Sequence, residues 1–261
     1  MHPFVPEELG DEFDLDQVLR FGSLPVVWRA VDRKEALEAY AQMYIREEIQ
    51  AEALVRSLPG FVRMLPIAAI FHGQVLNVSG IARDAGVARN TVVGYLEVLR
   101  DTLVAYELPA FETRLRVRER RHPKLYWVDP GVPRALRHQL APVTAEERGP
   151  LFEGFVAGVL RAYSDYADLF DDWGYWATTG QLEVDFVIRR GDAIVAIEAK
   201  SATVVHKRDL VGLRAIAALP GIVRRIVVHR GSRRQTTEDG IEILPVRAWL
   251  DEVEKGRLWP R

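Results

Sequence analysis

Three charged residues lie on two apolar segments that follow one another in the chain, EVDFVIRR and AIVAIEAK. Asp185 is in the first segment, and Glu198 and Lys200 stand two positions apart in the second. A buried charge loses its hydration, so such residues need a compensating partner. Mg²⁺ binds carboxylate oxygens and keeps several waters, and a neighbouring lysine could hold a water or a phosphate oxygen. These residue types therefore suit metal-assisted hydrolysis of a phosphodiester.

The turn between the two segments predicts how they pair. A two-residue loop with glycine first, here Gly191-Asp192, is typical of a type II′ β-hairpin. Such a turn pairs Arg190 with Ala193, and the same register places Asp185 directly opposite Glu198. Directly paired side chains point to the same face of a sheet, about 4.5–5.5 Å apart at Cβ. The two carboxylates are therefore predicted to be neighbours.

The same register divides the hairpin between a charged face and an apolar face. The charged face collects Glu183 (opposite Lys200), Asp185, Glu198 and Lys200. The apolar face, which belongs in the core, collects Val184, Phe186, Ile188, Val195, Ile197 and Ala199. Two interpretations stay open. A divalent cation could offset the repulsion between the carboxylates, or the charged face could be solvent-exposed, with charges paired across the strands.

Composition sets the broad class of the protein. The chain has 261 residues, of which 48% are apolar and 28% charged, as in ordinary globular proteins. It has no cysteine, which excludes disulfides and thiolate metal sites and suits a cytoplasmic location. No apolar run reaches the roughly 18 residues of a membrane span, and the acidic N-terminus MHPFVPEELGDEFDLD does not read as a signal peptide. We expect no membrane association.

The order of periodic segments predicts a chain of mixed α+β or α/β class with three parts. Residues 1–70 read as a helical, lid-like segment, because apolar residues recur at helical spacing. Residues 71–142 read as a helix-turn-helix followed by strands, which is the order of a winged helix. Residues 143–261 are predicted to form the C-terminal domain. They read as a helix, three strands, a helix, two further strands and a last helix.

The middle part is the predicted nucleic-acid surface, because residues 61–142 hold 12 Lys and Arg against 7 Asp and Glu. The second helix of the helix-turn-helix begins with Arg89, Asn90 and Thr91, where groove contacts are usually made. A predicted strand after it carries arginines at every second position, and its turn extends the patch. These residues are Arg114, Arg116, Arg118, Arg120, Arg121 and Lys124.

Cations spaced along one strand face could follow a phosphate backbone, so DNA is the predicted partner. Two alternatives stay open for this part of the chain. Winged helices also serve as protein-docking modules, and the arginine row could pair with the acidic N-terminal segment of the same chain.

Asp185 followed by Glu-x-Lys on the next strand resembles the PD-(D/E)xK nuclease superfamily, which includes the restriction endonucleases. The element order helix, three strands, helix, strand also matches the αβββαβ core of that fold. The resemblance implies a catalytic set of Asp185, Glu198 and Lys200, with Mg²⁺ or Mn²⁺ held by the two carboxylates. A glutamate on the first helix often joins this site in the superfamily, and Glu153 in LFEGFVAGVL occupies that place. Val184 stands where the superfamily commonly has proline.

Seven motifs in order resemble the C-terminal portion of a bacterial and archaeal group of AAA-type ATPases. They are FGSLPVVW, YIREEI, LNVSGIARDAGVARNTVVGYLEVL, HPKLYWVDPGV, LFEGFVAGVL, YWATTGQLEVDFVI and IEAKS. That family joins an N-terminal ATP-binding module to a winged-helix region and a PD-(D/E)xK-like C-terminal domain. The phosphate-binding motif GxxxxGK[ST] does not occur in this sequence. We therefore expect no ATPase activity from this chain alone, and the resemblance implies an ATPase module as partner.

Three hypotheses for function follow from these patterns. The first is a metal-dependent nuclease tethered to a DNA-binding winged helix. The second is a catalytically inactive nuclease fold that binds DNA or protein as a regulatory module of the ATPase. The third is protein recognition alone, in a sensing or antitoxin-like role of a defence system. Assembly into a homo-oligomer is compatible with each.

Overall fold

The computed structural model describes residues 2–44, 57–111, 122–178 and 182–259, and within them helices and strands mix in an α+β arrangement. The chain divides into two compact units. The first contains residues 1–107 and 124–158, and the second contains residues 108–123 and 159–261. No helix in the described ranges combines the length and the apolar character that crossing a bilayer requires.

The first unit begins with short helices. They are α1 Pro6–Leu9, α2 Leu15–Phe21, α3 Pro25–Trp28 and α4 Arg33–Ala39, followed by a π-helical turn at Tyr40–Tyr44 and by α5 Leu58–Ile70. Asp14 and Asp32 cap α2 and α4, each accepting two backbone N–H groups of the first turn. Pro66 lies inside α5. The segment that contains YIREEI lies largely outside the described residues.

The rest of the first unit contains two consecutive helices joined by a turn, a further short helix and three strands. The elements are β1 Gln74–Val75, α6 Val78–Ala85, α7 Arg89–Asp101, β2 Ala105–Leu108, β3 Lys124–Trp127 and α8 Gly131–Leu136. Gly86 ends α6 in the left-handed region, at φ 64°, where glycine has no steric penalty. The three strands form a small sheet in the order β1-β3-β2.

One apolar cluster draws on both ends of the first unit. It includes Leu37 and Met64 from the helical part and Ile81, Leu99 and Trp127 from the part that follows, all buried. Buried residues from both predicted parts, 1–70 and 71–142, thus pack in one cluster. The division of the chain into three parts stays a prediction.

A long helix, α9 Ala145–Ala167, leads into the second unit. It begins before residue 151, where the sequence pattern predicts its start, so part of the expected linker is helical. The second unit then contains β4 Asp172–Ala177, β5 Glu183–Arg190, β6 Ala193–Lys200, α10 Val211–Ala215, β7 Ile222–His229, β8 Gln235–Thr236, β9 Glu242–Pro245 and α11 Val246–Glu254. Single 3₁₀ turns, Lys207–Leu210 and Ile216–Ala218, flank α10.

The second unit is built on one six-stranded sheet in the order β4-β5-β6-β7-β9-β8. The pairs β4–β5 and β5–β6 are antiparallel, β6–β7 and β7–β9 are parallel, and β8–β9 is antiparallel. Leu210, Leu213 and Ile216, from α10 and its flanking turns, pack with Ala196 and Val227 in the apolar core. This face of the sheet is therefore covered by α10 and its flanking turns.

The predicted hairpin register is confirmed from the turn to Phe186. Arg190 pairs with Ala193, and the pairing continues in step to Phe186 with Ile197. Gly191 has a positive φ of 57°, as the first loop position of a type II′ turn requires.

The predicted division of the hairpin faces is wrong at Val184. This residue packs in the same apolar cluster as Val187 and Ala196, not with Phe186. The reason is a β-bulge. Between the pairs Gly174–Val187 and Trp176–Val184, β5 advances three residues while β4 advances two, so the alternation of β5 side chains is broken there.

Candidate functional site

Asp185 and Glu198 lie just beyond Phe186 and Ile197, the last backbone pair of β5 and β6. Their carboxylates accept hydrogen bonds from backbone N–H groups at this point. The N–H of Ala199 donates to Oδ2 of Asp185 at 2.9 Å. The N–H of Asp185 donates to Oε2 of Glu198 at 3.4 Å. Each carboxylate thus accepts a hydrogen bond from the backbone of the opposite strand. The structure therefore brings together the two acidic side chains that the hairpin register predicts as neighbours.

Both carboxylates are buried. Asp185 is 6% exposed and Glu198 is 7% exposed. The interpretation of this face as a solvent-exposed sheet surface is therefore wrong for these two residues. Two acidic groups this deep in a sheet require cations or hydrogen-bond donors near them.

Lys200 supplies one cation. Its Nζ donates to Oε1 of Glu198 at 2.6 Å, and its side chain is 31% exposed. Burial alone disfavours the charged ammonium, but the nearby carboxylates of Glu198 and Asp185 outweigh it, so the pKa of Lys200 is raised above its ordinary value. This direction favours the protonated ammonium, which suits contact with an anionic oxygen.

The oxygen donors of this site fit a hard divalent cation. Mg²⁺ is commonly held by one or two carboxylates and keeps the rest of its shell as water. Within the part of the chain that the structure describes, no cluster of three or more His, Asp or Glu side chains is arranged for a metal ion. Asp185 and Glu198 together offer two carboxylates, and their role as metal ligands stays a prediction.

Glu153, on α9, has described partners in the first unit. Its Oε1 accepts hydrogen bonds from Nζ of Lys124 at 2.8 Å and from the hydroxyl of Tyr126 at 2.5 Å. Lys124 and Tyr126 lie two positions apart on β3 and are both buried. The predicted participation of Glu153 in the catalytic set stays a prediction.

The predicted nucleic-acid-binding residues differ in how exposed they are. Arg89 and Asn90 are exposed in the first turn of α7, and Thr91 beside them is half-buried. Lys124 is buried against Glu153 and is therefore not accessible to a phosphate backbone. The arginine row lies outside the described residues: Arg114, Arg116, Arg118, Arg120 and Arg121.

Sequence reasoning missed a basic loop at the same end of the sheet as Lys200. The segment HRGSRR, residues 229–234, follows the apolar strand β7 directly. The sequence feature that could have indicated it is a basic loop after an apolar strand, because loops at the carboxyl ends of parallel strands commonly bind ligands. Without the pairing of β6 with β7, however, nothing in the sequence places this loop near Lys200.

Two protein-family models match consecutive parts of the chain. Residues 12–144 match the family described as Domain of unknown function (DUF8612). Residues 148–249 match the family described as Domain of unknown function (DUF4143), which is found in C-terminal regions associated with AAA ATPases. The predicted resemblance to such C-terminal regions is confirmed at this level.

Two curated relatives are uncharacterized proteins of Mycobacterium bovis and Mycobacterium tuberculosis. Each is 25% identical over 241 residues, which cover 88% of this chain and 52% of the relative. The chain thus spans about half the length of these relatives. Among solved structures, a crystal structure of a Vibrio cholerae protein matches with a TM-score of 0.32 and 15% identity, covering 93% of this chain and 54% of that one.

Proposed function

The chain belongs to the DUF8612 family, and we propose that it is the DNA-binding, metal-dependent nuclease-like part of an AAA-type ATPase system. The observation that carries the proposal is the pair of buried carboxylates, Asp185 and Glu198, hydrogen-bonded to each other's strands beside a protonated Lys200. A structural sheet would be more stable with apolar residues at these positions, since buried charges cost free energy even when they are paired.

The topology of the second unit supports a PD-(D/E)xK-like fold. The order α9, β4, β5, β6, α10, β7 follows the αβββαβ core, with β4 to β6 as an antiparallel meander and β7 parallel to β6. In that fold the acidic residues stand on the second and third strands, which are β5 and β6 here. Asp185 and Glu198 occupy those two strands.

In this proposal Asp185 and Glu198 hold Mg²⁺ or Mn²⁺, and Lys200 faces the substrate. A divalent ion, when bound, lowers the pKa of the attacking water and neutralises charge on the phosphate. The ammonium of Lys200 adds a fixed positive charge toward a non-bridging phosphate oxygen, where negative charge grows in the transition state. Burial of the site strengthens both effects, because the effective dielectric constant is lower there than in water.

The helix-turn-helix of the first unit supports a role in DNA binding. The elements α6, Gly86 and α7 followed by β2 and β3 have the order of a winged helix. Arg89 and Asn90 present exposed polar groups at the start of α7, where recognition helices contact base edges. The arginine row from Arg114 to Arg121 adds to this proposal from its sequence alone.

One observation favours a second candidate, a catalytically inactive regulatory module. The carboxylates already have partners without a metal ion, since Lys200 binds Glu198 and the N–H of Ala199 binds Asp185. A fold that has lost its chemistry could keep these contacts for stability. This candidate predicts DNA or protein binding that is indifferent to divalent cations.

A cleavage assay separates the two candidates. Linear, circular and branched DNA are incubated with the protein in Mg²⁺, in Mn²⁺ and in EDTA. We expect cleavage of at least one substrate that requires the divalent ion and is lost in Asp185→Asn. Asparagine keeps an oxygen that can accept from Ala199, so this variant should fold normally, as circular dichroism would show.

Absence of cleavage on all three substrates would contradict the nuclease proposal. So would cleavage that persists unchanged in Asp185→Asn prepared by the same protocol, because it would point to a contaminating enzyme.

A further inference from the structure

A cavity of about 490 Å³ opens beside the end of β7 in the second unit. Its wall comes from the segments that follow β6 and β7 and from residues of β7, β8 and β9. Its polar and basic lining residues are Thr203, His229, Arg230, Ser232, Arg233 and Gln235, and its apolar ones are Val204, Val205 and Ile243. No acidic residue is among the described residues that line the cavity. Its volume is in the range of ligand pockets, and its charge favours an anion.

The two loops are fastened to each other by backbone contacts. The N–H of Arg230 donates to the carbonyl of Ala202 at 3.2 Å. Gly231 then passes so close to the other loop that a Cβ on it would lie 2.2 Å from the carbonyl oxygen of Thr203. Only glycine fits this approach. The cavity wall is therefore built by specific contacts and is more than a chance gap between surface loops.

His229 supports the loop after β7 through hydrogen bonds to the loop backbone. Its side chain is buried, and Nδ1 accepts the N–H of Gly231 at 3.1 Å. Nε2 therefore carries the ring proton and donates to the carbonyl of Arg233 at 3.0 Å. The imidazole thus fixes the backbone of Arg233 at the cavity. Arg233 is exposed, and among the described residues no carboxylate forms an ion pair with it.

The cavity is one strand away from the candidate metal site. In the parallel pair β6–β7, Lys200 is the register partner of His229. Neighbouring strands lie about 4.7–4.9 Å apart. Successive phosphates of one DNA strand rise by about 3.4 Å along the helix axis. A strand that places one phosphate beside Lys200 can therefore place a neighbouring phosphate at the loop that follows β7.

We propose that this cavity binds a backbone phosphate of the nucleic-acid strand adjacent to the phosphate that Lys200 faces, with Arg233 as its cationic ligand. Arginine is suited to this contact, because its planar guanidinium can donate two parallel hydrogen bonds to a phosphate. The identity of the ligand as a nucleic-acid strand rests on the proposed function, whereas the anion-binding character of the cavity rests on its own residues.

The test is DNA binding by Arg233→Gln, with Arg190→Gln as the matched control. Arg190 is also exposed in the second unit, but it lies at the hairpin turn, at the opposite end of β5 and β6. Fluorescence anisotropy of labelled DNA is measured in EDTA, which prevents cleavage, over a series of salt concentrations. We expect affinity to fall roughly tenfold in Arg233→Gln, as for the loss of one charged hydrogen bond.

The salt dependence gives a second, independent readout. The slope of log K against log salt should decrease in magnitude by about 0.7–0.9 in Arg233→Gln, which corresponds to one lost phosphate contact. Arg233→Lys, which keeps the charge, should retain the slope of the wild type. The slope reports the lost contact even when other parts of the chain contribute most of the affinity.

Equal affinity and equal slope in Arg233→Gln and Arg190→Gln would overturn the phosphate site. The outcome is separable from that of the cleavage assay. If the wild type cleaves DNA but Arg233→Gln binds like the control, only the cavity inference fails. If the wild type does not cleave but Arg233→Gln loses affinity and slope, the cavity inference stands and the nuclease proposal fails.

Discussion

Replacing Lys200 by methionine is expected to slow metal-dependent cleavage by about 10²–10³-fold, the usual cost of removing one group that stabilises transition-state charge. Methionine preserves much of the side-chain volume but removes the ammonium that lies 2.6 Å from Glu198. The loss should appear mainly in kcat, because the charge acts most strongly as negative charge develops on the phosphate. Single-turnover cleavage rates of the wild type and the variant measure it.

The same variant should be less stable than the wild type without metal, and a divalent cation should restore part of that stability. Without Lys200, the buried Glu198 carboxylate loses its 2.6 Å ion pair, and the metal-free protein should lose about 1–3 kcal/mol of unfolding free energy. A divalent cation can then replace the missing charge. We therefore expect Mn²⁺ to stabilise Lys200→Met more than it stabilises the wild type, in urea denaturation followed by tryptophan fluorescence.

Lys255→Met is the matched control for both measurements. Lys255 is also in an ion pair, with Asp251, but both groups are exposed in the C-terminal segment. Surface pairs of this kind are usually worth less than about 1 kcal/mol. If Lys200→Met and Lys255→Met cleave DNA equally well, Lys200 has no part in the chemistry.

Replacing Asp129 by asparagine is expected to destabilise the protein by about 2–3 kcal/mol, although the two side chains have the same shape. Asp129 is fully buried in the first unit. Its Oδ2 accepts the N–H of Ser23 at 2.6 Å, and its Oδ1 accepts the N–H of Gly131 at 2.7 Å. Whichever way an amide is turned, its NH₂ group faces one of these N–H donors.

This contact explains two of the sequence motifs in physical terms. Asp129 of VDPGV ties the loop of FGSLP, after α2, to the start of α8. The approach is so close that a Cβ on Gly22 would lie 1.6 Å from Oδ1 of Asp129, and one on Gly131 would lie 2.4 Å from the carbonyl oxygen of Phe21. This close approach therefore requires glycine at positions 22 and 131, one in each motif.

Asp171→Asn provides the control for this second prediction. Asp171 is exposed and accepts a single N–H, that of Gly191 at 2.7 Å, from its Oδ2. The carbonyl oxygen of asparagine can replace that acceptor, so the expected change is within about 0.5 kcal/mol. Equal unfolding free energies for Asp129→Asn and the wild type in urea titrations would contradict the role assigned to Asp129.

The sequence predicts local features of this protein well. The Gly191-Asp192 turn determines the register of β5 and β6, and that register brings Asp185 near Glu198. The two helix caps, Asp14 and Asp32, are also local, since each bonds to the helix that follows it. Such features depend on residues a few positions apart, and the turn residues themselves specify them.

Features that depend on distant contacts could not be predicted in the same way. Lys124 follows a row of arginines in the sequence and resembles part of an exposed patch, but it is buried against Glu153, 29 positions away. The bulge in β5 that turns Val184 to the other face arises from its pairing with β4, which the hairpin does not determine. Burial likewise excludes the solvent-exposed interpretation of Asp185 and Glu198, which the alternation of residues alone could not do.

The most direct measurement of the central claim is Mn²⁺ binding to the wild type and to Asp185→Asn by isothermal titration calorimetry. We expect a divalent-cation site in the wild type that is lost or strongly weakened in the variant. The reason is that the variant replaces one of the two negatively charged ligands by a neutral amide. Absence of binding at millimolar Mn²⁺, or equal binding by the two proteins, would contradict a metal site at Asp185 and Glu198.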